Sequence, residues 1–462
     1  MIELQRVPRP ERETGLQPVM LSDETMRERK EKILGKMTEK GLDALVVYAD
    51  LEHGNNFEYL TGFLPRFEEA LLILFRDGTA ELLLGNENLN KAPKSRIRAS
   101  AIHVPYFSLP NQPMYGEKRM EDILRESRLC TARHIGLAGW KLFREERKGA
   151  ESSDCQYYDL PYYLVNALIT VCPGAEFRNA ADIFIGKEGV RRTNSAEELA
   201  HYEFGAALAG RCMLDTLDRL EEGMSEMEAA ETLSGLGQPH SVITIMAAGE
   251  RFIKANLYPG TRKIRIGDRL SLTVGYKGGL QSRAGYAVRR REELPEGEED
   301  FLEAVAAPYF GAVKAWVEQI HVGMTGGELY RLIETVLPRA AYGWSLNPGH
   351  LCADEEWLCS PVYEDSEEPL QSGMLLQIDI IPSVKGYGGI NCESGVMLAD
   401  QALREEIQEK FPEMWARIRK RRKYMKEVLG LNISEEVLPT SSMTAFCCPF
   451  LLDKESALVN VG

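Results

Sequence analysis

Gly223-Met224-Ser225-Glu226-Met227-Glu228 follows one long helical pattern, and Gly323-Met324-Thr325-Gly326-Gly327-Glu328 follows another, 100 residues later. Each unit then leads to a strand that opens on glycine. The first reads Gly267-Asp268-Arg269-Leu270-Ser271-Leu272-Thr273, the second Gly373-Met374-Leu375-Leu376-Gln377-Ile378-Asp379. A duplicated helix–helix–strand unit implies a core with pseudo-two-fold symmetry, in which equivalent strands of the two copies face each other. The residue six after the glycine is Thr273 in one copy and Asp379 in the other. That mismatch governs the functional reading.

Ser225…Glu228 and Thr325…Glu328 are capping boxes, and so is Ser195…Glu198 at the head of the preceding helix: a hydroxyl caps the backbone NH three residues on, whose carboxylate reaches back. Upstream, Met26 to Lys40 reads as an amphipathic helix and Ala44 to Tyr48 as a strand. Ala70 to Phe75 and Ala80 to Leu84 read as a hairpin about Asp77-Gly78. Helix and strand alternate from there to Ile185, as in a helix-covered sheet. A polar break near Gly186 to Thr193 separates this half from the repeat. The expected organisation is an α/β domain over residues 1–188, a second domain over 189–400 built on the duplicated antiparallel core, and a C-terminal helix and tail over 401–462 that complete it. One helix is expected from Ala402 to Leu429.

The chain has 462 residues, a net charge of −15 and 27% charged residues. Such an acidic balance argues against nucleic acid as a partner. The basic run Arg417 to Lys426 reads as a solvated helix face. The start has no apolar core of a signal peptide and no stretch is long enough to span a membrane, so the expectation is a cytoplasmic protein. Nine cysteines without C-x-x-C spacing read as buried thiols of a reducing compartment. No dinucleotide fingerprint, P-loop or nucleophile elbow is present. His240 reads as structural, at the head of a strand Ser241 to Met246.

With Tyr59-Leu60-Thr61-Gly62 in its first half and the duplicated second half, the chain resembles the pita-bread family of methionine aminopeptidase, Xaa-Pro aminopeptidase, prolidase and creatinase. The two-domain layout resembles the last three. Asn347-Pro348-Gly349-His350 is similar to the family's metal-binding histidine segment, Ser372 to Asp379 to the strand with its first late glutamate, and Cys392-Glu393-Ser394-Gly395-Val396 to the strand with its last. The resemblance implies a homodimer and, for the metallopeptidases, two divalent ions held by two aspartates, one histidine and two glutamates. Two hard cations need several oxygen donors and a bridging carboxylate.

Against that pattern, the first aspartate position is Thr273, and the second falls among Ser282, Arg283 and Ala284. From Arg269 to Arg291 there is no Asp or Glu. His350 survives, the fourth ligand is shortened to Asp379, and Glu393 survives. The family's substrate-side histidine aligns with Asn256, and a further histidine with Trp357. The site residues expected are therefore His350, Asp379 and Glu393 for catalysis, as remnant ligand positions, with Arg283, Asn256, Thr273 and Trp357 contacting ligand. No two-ion cofactor is expected, and at most a single weakly held divalent ion. Two buried carboxylates without ions cost several kcal/mol each, so Arg283 is expected to pair with Asp379 or Glu393. Each survivor also has a purely structural reading as a hydrogen-bonded relic.

Three functions remain open. One is a metal-independent, creatinase-like C–N hydrolase for a small cationic or zwitterionic substrate. The second is a non-catalytic relative that binds a small molecule or short peptide, and the third an active Xaa-Pro peptidase.

Overall fold

The computed structural model describes residues 1–112, 118–143 and 157–462; part of the alternation expected before Ile185 lies outside them. The chain divides into two compact units, residues 21–192 and residues 1–20 with 193–462.

In the first unit, Ala44–Ala49, Ala70–Phe75 and Ala80–Leu84 are buried along their whole length. Continuous apolar runs of this kind suit strands covered on both faces. They sit in a six-stranded sheet with His134–Ala138 and Glu176–Asn179 on one side and Ser100–His103 on the other. The hairpin about Asp77-Gly78 has the expected register, Ala70 opposite Leu84. Helix Asp23–Glu39 is capped by Ser22, whose hydroxyl accepts from Thr25 N. Tyr59-Leu60-Thr61-Gly62 is a helix end: Asn55–Thr61 closes on Gly62 at φ 75°, a left-handed cap that favours glycine. Those four residues stabilise a turn.

The second unit contains the repeat. All three capping boxes form, at Ser195, Ser225 and Thr325, on helices Ala196–Arg219, Glu226–Ala230 and Gly326–Val336. Backbone bonds around the two glycines match: Gly223 N donates to Ile264 O and Gly323 N to Leu370 O, with Ile264 N and Leu370 N returning to Met224 O and Met324 O. The first copy supplies a three-stranded sheet of Ile245–Ala248, Arg269–Tyr276 and Gly279–Tyr286, the second a four-stranded sheet of His350–Leu351, Leu375–Ile378, Ser394–Leu398 and Val437–Pro439. The sheets meet at an antiparallel bridge between Ala284 and Asn391. Equivalent strands therefore face each other, as duplication requires.

Three expectations are corrected. Residues 1–20 belong with the C-terminal unit, because Ile2–Arg6 pairs antiparallel with Ser456–Asn460; the unit boundary falls at 192/193. The helix over 402–429 is two helices, Gln401–Lys410 and Pro412–Glu427. Pro412 has no NH to continue the first and fits the first turn of the second. Only part of the basic run is a solvated face: Arg419, Lys420, Lys423 and Lys426 are exposed, and three arginines turn inward. Arg421 is 4% exposed and bonds Glu13 and Glu203, Arg417 bonds both oxygens of Glu203, and Arg422 donates to the carbonyls of Ser434 and Val437. Burial pushes the Glu203 carboxyl up, yet Arg421 and Arg417 hold it below its ordinary value. The buried acid on the long helix explains why Arg417 and Arg421 turn inward.

Gly326 and Gly327 open the second copy's helix where the first has Glu226 and Met227. A Cβ on Gly326 would collide with the carbonyl oxygen of Pro361. Thr325→Ala should cost about 1 kcal/mol, the usual value of a lost N-cap. Gly326→Ala should cost more, because backbone must move; melting curves that rank the two the other way would contradict this packing.

Candidate functional site

Thr273 and Ser282 are cross-strand partners in the first copy's hairpin, and their hydroxyls are hydrogen-bonded at 2.8 Å. Side chains alternate faces along a strand. Ser271, Thr273, Leu280, Ser282 and Ala284 accordingly line one cavity of about 520 Å³, and Arg283 does not. The register makes Ser282 the residue directly opposite Thr273.

Arg283 is fully buried on the other face. Its Nη1 donates to Ser282 O at 2.7 Å and Glu393 O at 2.9 Å, its Nη2 to Met443 O at 2.6 Å and Gln281 Oε1 at 3.2 Å. The expected pairing with Asp379 or Glu393 is therefore wrong. Two-residue periodicity directs the guanidinium at backbone carbonyls behind the hairpin, away from the carboxylates in front. The C-terminal tail, which no sequence pattern assigned, supplies one of those carbonyls.

His350 lies on the short strand after Pro348-Gly349. The segment is pinned by Trp316 Nε1 donating to Pro348 O at 2.7 Å. The imidazole is fully buried, and its Nδ1 lies 3.2 Å from Leu351 O. That carbonyl can only accept, so Nδ1 carries a proton. Nε2 is 3.0 Å from Glu356 Oε1 and 4.0 Å from Asp379 Oδ2, off the line of a hydrogen bond to either. Trp357 stacks on the ring at 4.1 Å between centroids and is itself 40% exposed. Burial lowers the His350 pKa, but Glu356 and Asp379 outweigh it and the net shift is upward.

Asp379 follows directly on strand Leu375–Ile378, is 4% exposed, and its Oδ1 has no hydrogen-bond partner. Burial pushes its carboxyl up to about 6; His350 opposes and Glu356 adds to this. Glu393 is raised well above the ordinary range, first by burial, then by Asp379 and Glu356, with Asn391 and Gln377 opposing. Glu356 is the residue that the sequence reading missed. It sits in the acidic run Asp354-Glu355-Glu356, beside the Trp357 that was singled out. Nothing local distinguishes which of the three acids lines the cavity.

The structure thus brings together His350, Glu356, Asp379, Glu393 and Trp357, with the neutral Thr273–Ser282 pair in the same cavity as the acids. Asn256 is not among them. It lies on an exposed loop after helix Glu250–Ile253, and its neighbours Phe252 and Leu257 line the cavity instead. Donor atoms of His350, Glu356 and Glu393 lie within 4.8 Å of one another, close enough to converge on one metal ion. The carboxylates that a second ion would need are replaced by two hydroxyls bonded to each other. The three donors fit one ion.

Residues 200–401 match the family profile described as metallopeptidase family M24, and residues 29–184 that of the creatinase/prolidase N-terminal domain. No curated protein matches the chain. Among solved structures, it is similar to an Xaa-Pro dipeptidase from Bacillus anthracis (TM-score 0.61, 16% identity, 82% of this chain and 96% of that one). It is similar also to a prolidase from Pyrococcus horikoshii OT3 (0.60, 19%, 80% and 95%) and an X-Pro aminopeptidase from Thermotoga maritima MSB8 (0.60, 17%, 80% and 95%). At these identities the likeness is one of fold.

Two predictions follow from the geometry. Arg283→Met leaves buried carbonyls without a donor and should cost about 3 kcal/mol or more; an unchanged melting temperature would contradict the seam role. Asp379 titrates near 6 in the folded chain and near 4 when unfolded, so between these values the folded state holds the extra proton. Chelator-treated protein should therefore gain stability as pH falls from about 7 to about 5. Asp379→Asn should raise stability at neutral pH and shrink that gain; thermal melts across pH check both.

Proposed function

We propose that this chain, which belongs to the M24 pita-bread family, no longer builds a two-ion hydrolytic centre. It uses the pocket to bind a small molecule or short peptide that brings positive charge. The observation that carries this reading is the hydroxyl pair Thr273–Ser282, bonded at 2.8 Å in the same cavity as the acids. Neutral hydroxyls with mutual hydrogen bonds are poor bridging ligands for hard cations, which take carboxylate oxygens.

The pocket's own residues divide the work of binding. Asp379 and Glu393 place carboxyl groups at the cavity wall, with no arginine paired to either among the described residues. Trp357 offers an exposed ring face to a cation. Val242, Ile245, Leu257, Leu346 and Ile381 supply apolar wall for the rest of a ligand. Guanidinium, ammonium and zwitterionic dipeptide ends all suit such a pocket.

Catalysis without metal is the second reading, and one observation favours it: Asp379, titrating near 6 and lining the cavity, can hold or release a proton close to neutral pH. His350 is badly placed for that work, since it lies under Trp357 and does not line the cavity. An Xaa-Pro peptidase, the activity named for several fold relatives, would require two ions. It is the alternative that metal analysis addresses most directly.

Elemental analysis of protein purified without chelator should give fewer than two equivalents of divalent metal per chain. Lysyl-proline should bind without being hydrolysed, and Trp357→Ala should weaken its binding about tenfold, the loss of one desolvated cation–π contact. Two equivalents of metal with hydrolysis of lysyl-proline would overturn the reading.

A further inference from the structure

The side chains of His350, Glu356 and Glu393 converge, with one donor atom of each within 4.8 Å of the others. His350 Nδ1 donates to Leu351 O, so the lone pair of the neutral ring lies on Nε2. That lone pair faces Glu356 Oε1 at 3.0 Å and Asp379 Oδ2 at 4.0 Å. Lone pair against carboxylate is repulsive unless a positive centre stands between them. Asp379 Oδ1 is likewise buried without a partner. Elsewhere in the same unit buried acids are matched: Glu203 by Arg417 and Arg421, and Glu226 by Arg251.

We infer that Glu356 has been recruited as a metal ligand, and that His350 Nε2, Glu356 and Glu393 together hold one divalent ion, with Asp379 beside it. The resemblance that identifies His350 and Glu393 supplies no counterpart for Glu356, and the three donors lie within 4.8 Å of one another. Mixed imidazole and carboxylate donors select a first-row ion of the zinc, cobalt or manganese class over magnesium or calcium. The supporting contacts are in place: Leu351 O fixes the imidazole tautomer, and Asn391 Nδ2 donates to Glu393 Oε2 at 3.3 Å. Three carboxylates facing one divalent ion leave a single negative charge, which is what a cationic ligand would meet. The inference rests on the reading above that the two-ion centre is gone.

The test is a titration of the full chain, after chelator treatment, with Co²⁺, Zn²⁺ and Mg²⁺. Stoichiometry is read by native mass spectrometry and the cobalt site by its visible absorption. One equivalent of Co²⁺ or Zn²⁺ is expected, with Mg²⁺ far weaker. Glu356→Gln should weaken Co²⁺ binding at least tenfold and change the cobalt spectrum, whereas Glu356→Asp should retain part of it. Removing one of three crowded carboxylates relieves repulsion, so metal-free Glu356→Gln should melt no lower than the parent, which separates ligand loss from misfolding. One equivalent bound equally well by Glu356→Gln would overturn the recruited ligand. No binding at all would overturn the ion while leaving the pocket to be judged by lysyl-proline. Two equivalents would overturn the pocket reading itself.

Discussion

Two copies of one supersecondary unit must be joined along strands that come from different halves of the sequence, and here a buried guanidinium reinforces the backbone bridge between Ala284 and Asn391. Arg283 donates to the carbonyls of Ser282, Glu393 and Met443, tying the first hairpin, the strand entry of the second copy and the C-terminal tail to one buried group. Only a planar, permanently charged donor can serve several acceptors from one point without itself titrating. The placement of the cavity depends on this seam, because it sets the Thr273–Ser282 face in the same cavity as Asp379 and Glu393.

Charge compensation distinguishes the site from the rest of the unit. The Glu203, Arg417, Arg421 and Glu13 network buries acids and bases together, and a half-satisfied network of that depth would cost several kcal/mol. In the cavity the acids have no such partners, and Asp379 and Glu393 are raised above the ordinary carboxylate range, first by burial and then by neighbouring acids. Groups perturbed by burial and by specific neighbours, inside a cleft, mark sites where stability has been given up for binding or chemistry. Glu356, Asp379 and Glu393 together make the lining of this cavity acidic.

His350 illustrates how position governs chemistry. As the surviving histidine of the resemblance it invites a role in proton transfer to substrate. Stacked beneath Trp357 and aimed at Glu356, it is placed instead to organise charge at the cavity wall. Trp357 occupies a position that resemblance assigns to a second histidine, and its indole shields the first.

The repeat, the three capping boxes, the first hairpin and the absence of acids between Arg269 and Arg291 were all legible from residues within a few positions of one another. Caps, tight turns and strand periodicity are local hydrogen-bonding and steric events, so the sequence by itself determined the elements and their duplication. Tertiary structure alone decided that residues 1–20 return to pair with Ser456–Asn460, that Arg417, Arg421 and Arg422 turn inward, and that Arg283 faces carbonyls. It alone chose Glu356 from Asp354-Glu355-Glu356. These outcomes depend on which distant group waits at the end of a long side chain, and a buried charge takes whatever partner the packing of remote segments leaves within reach.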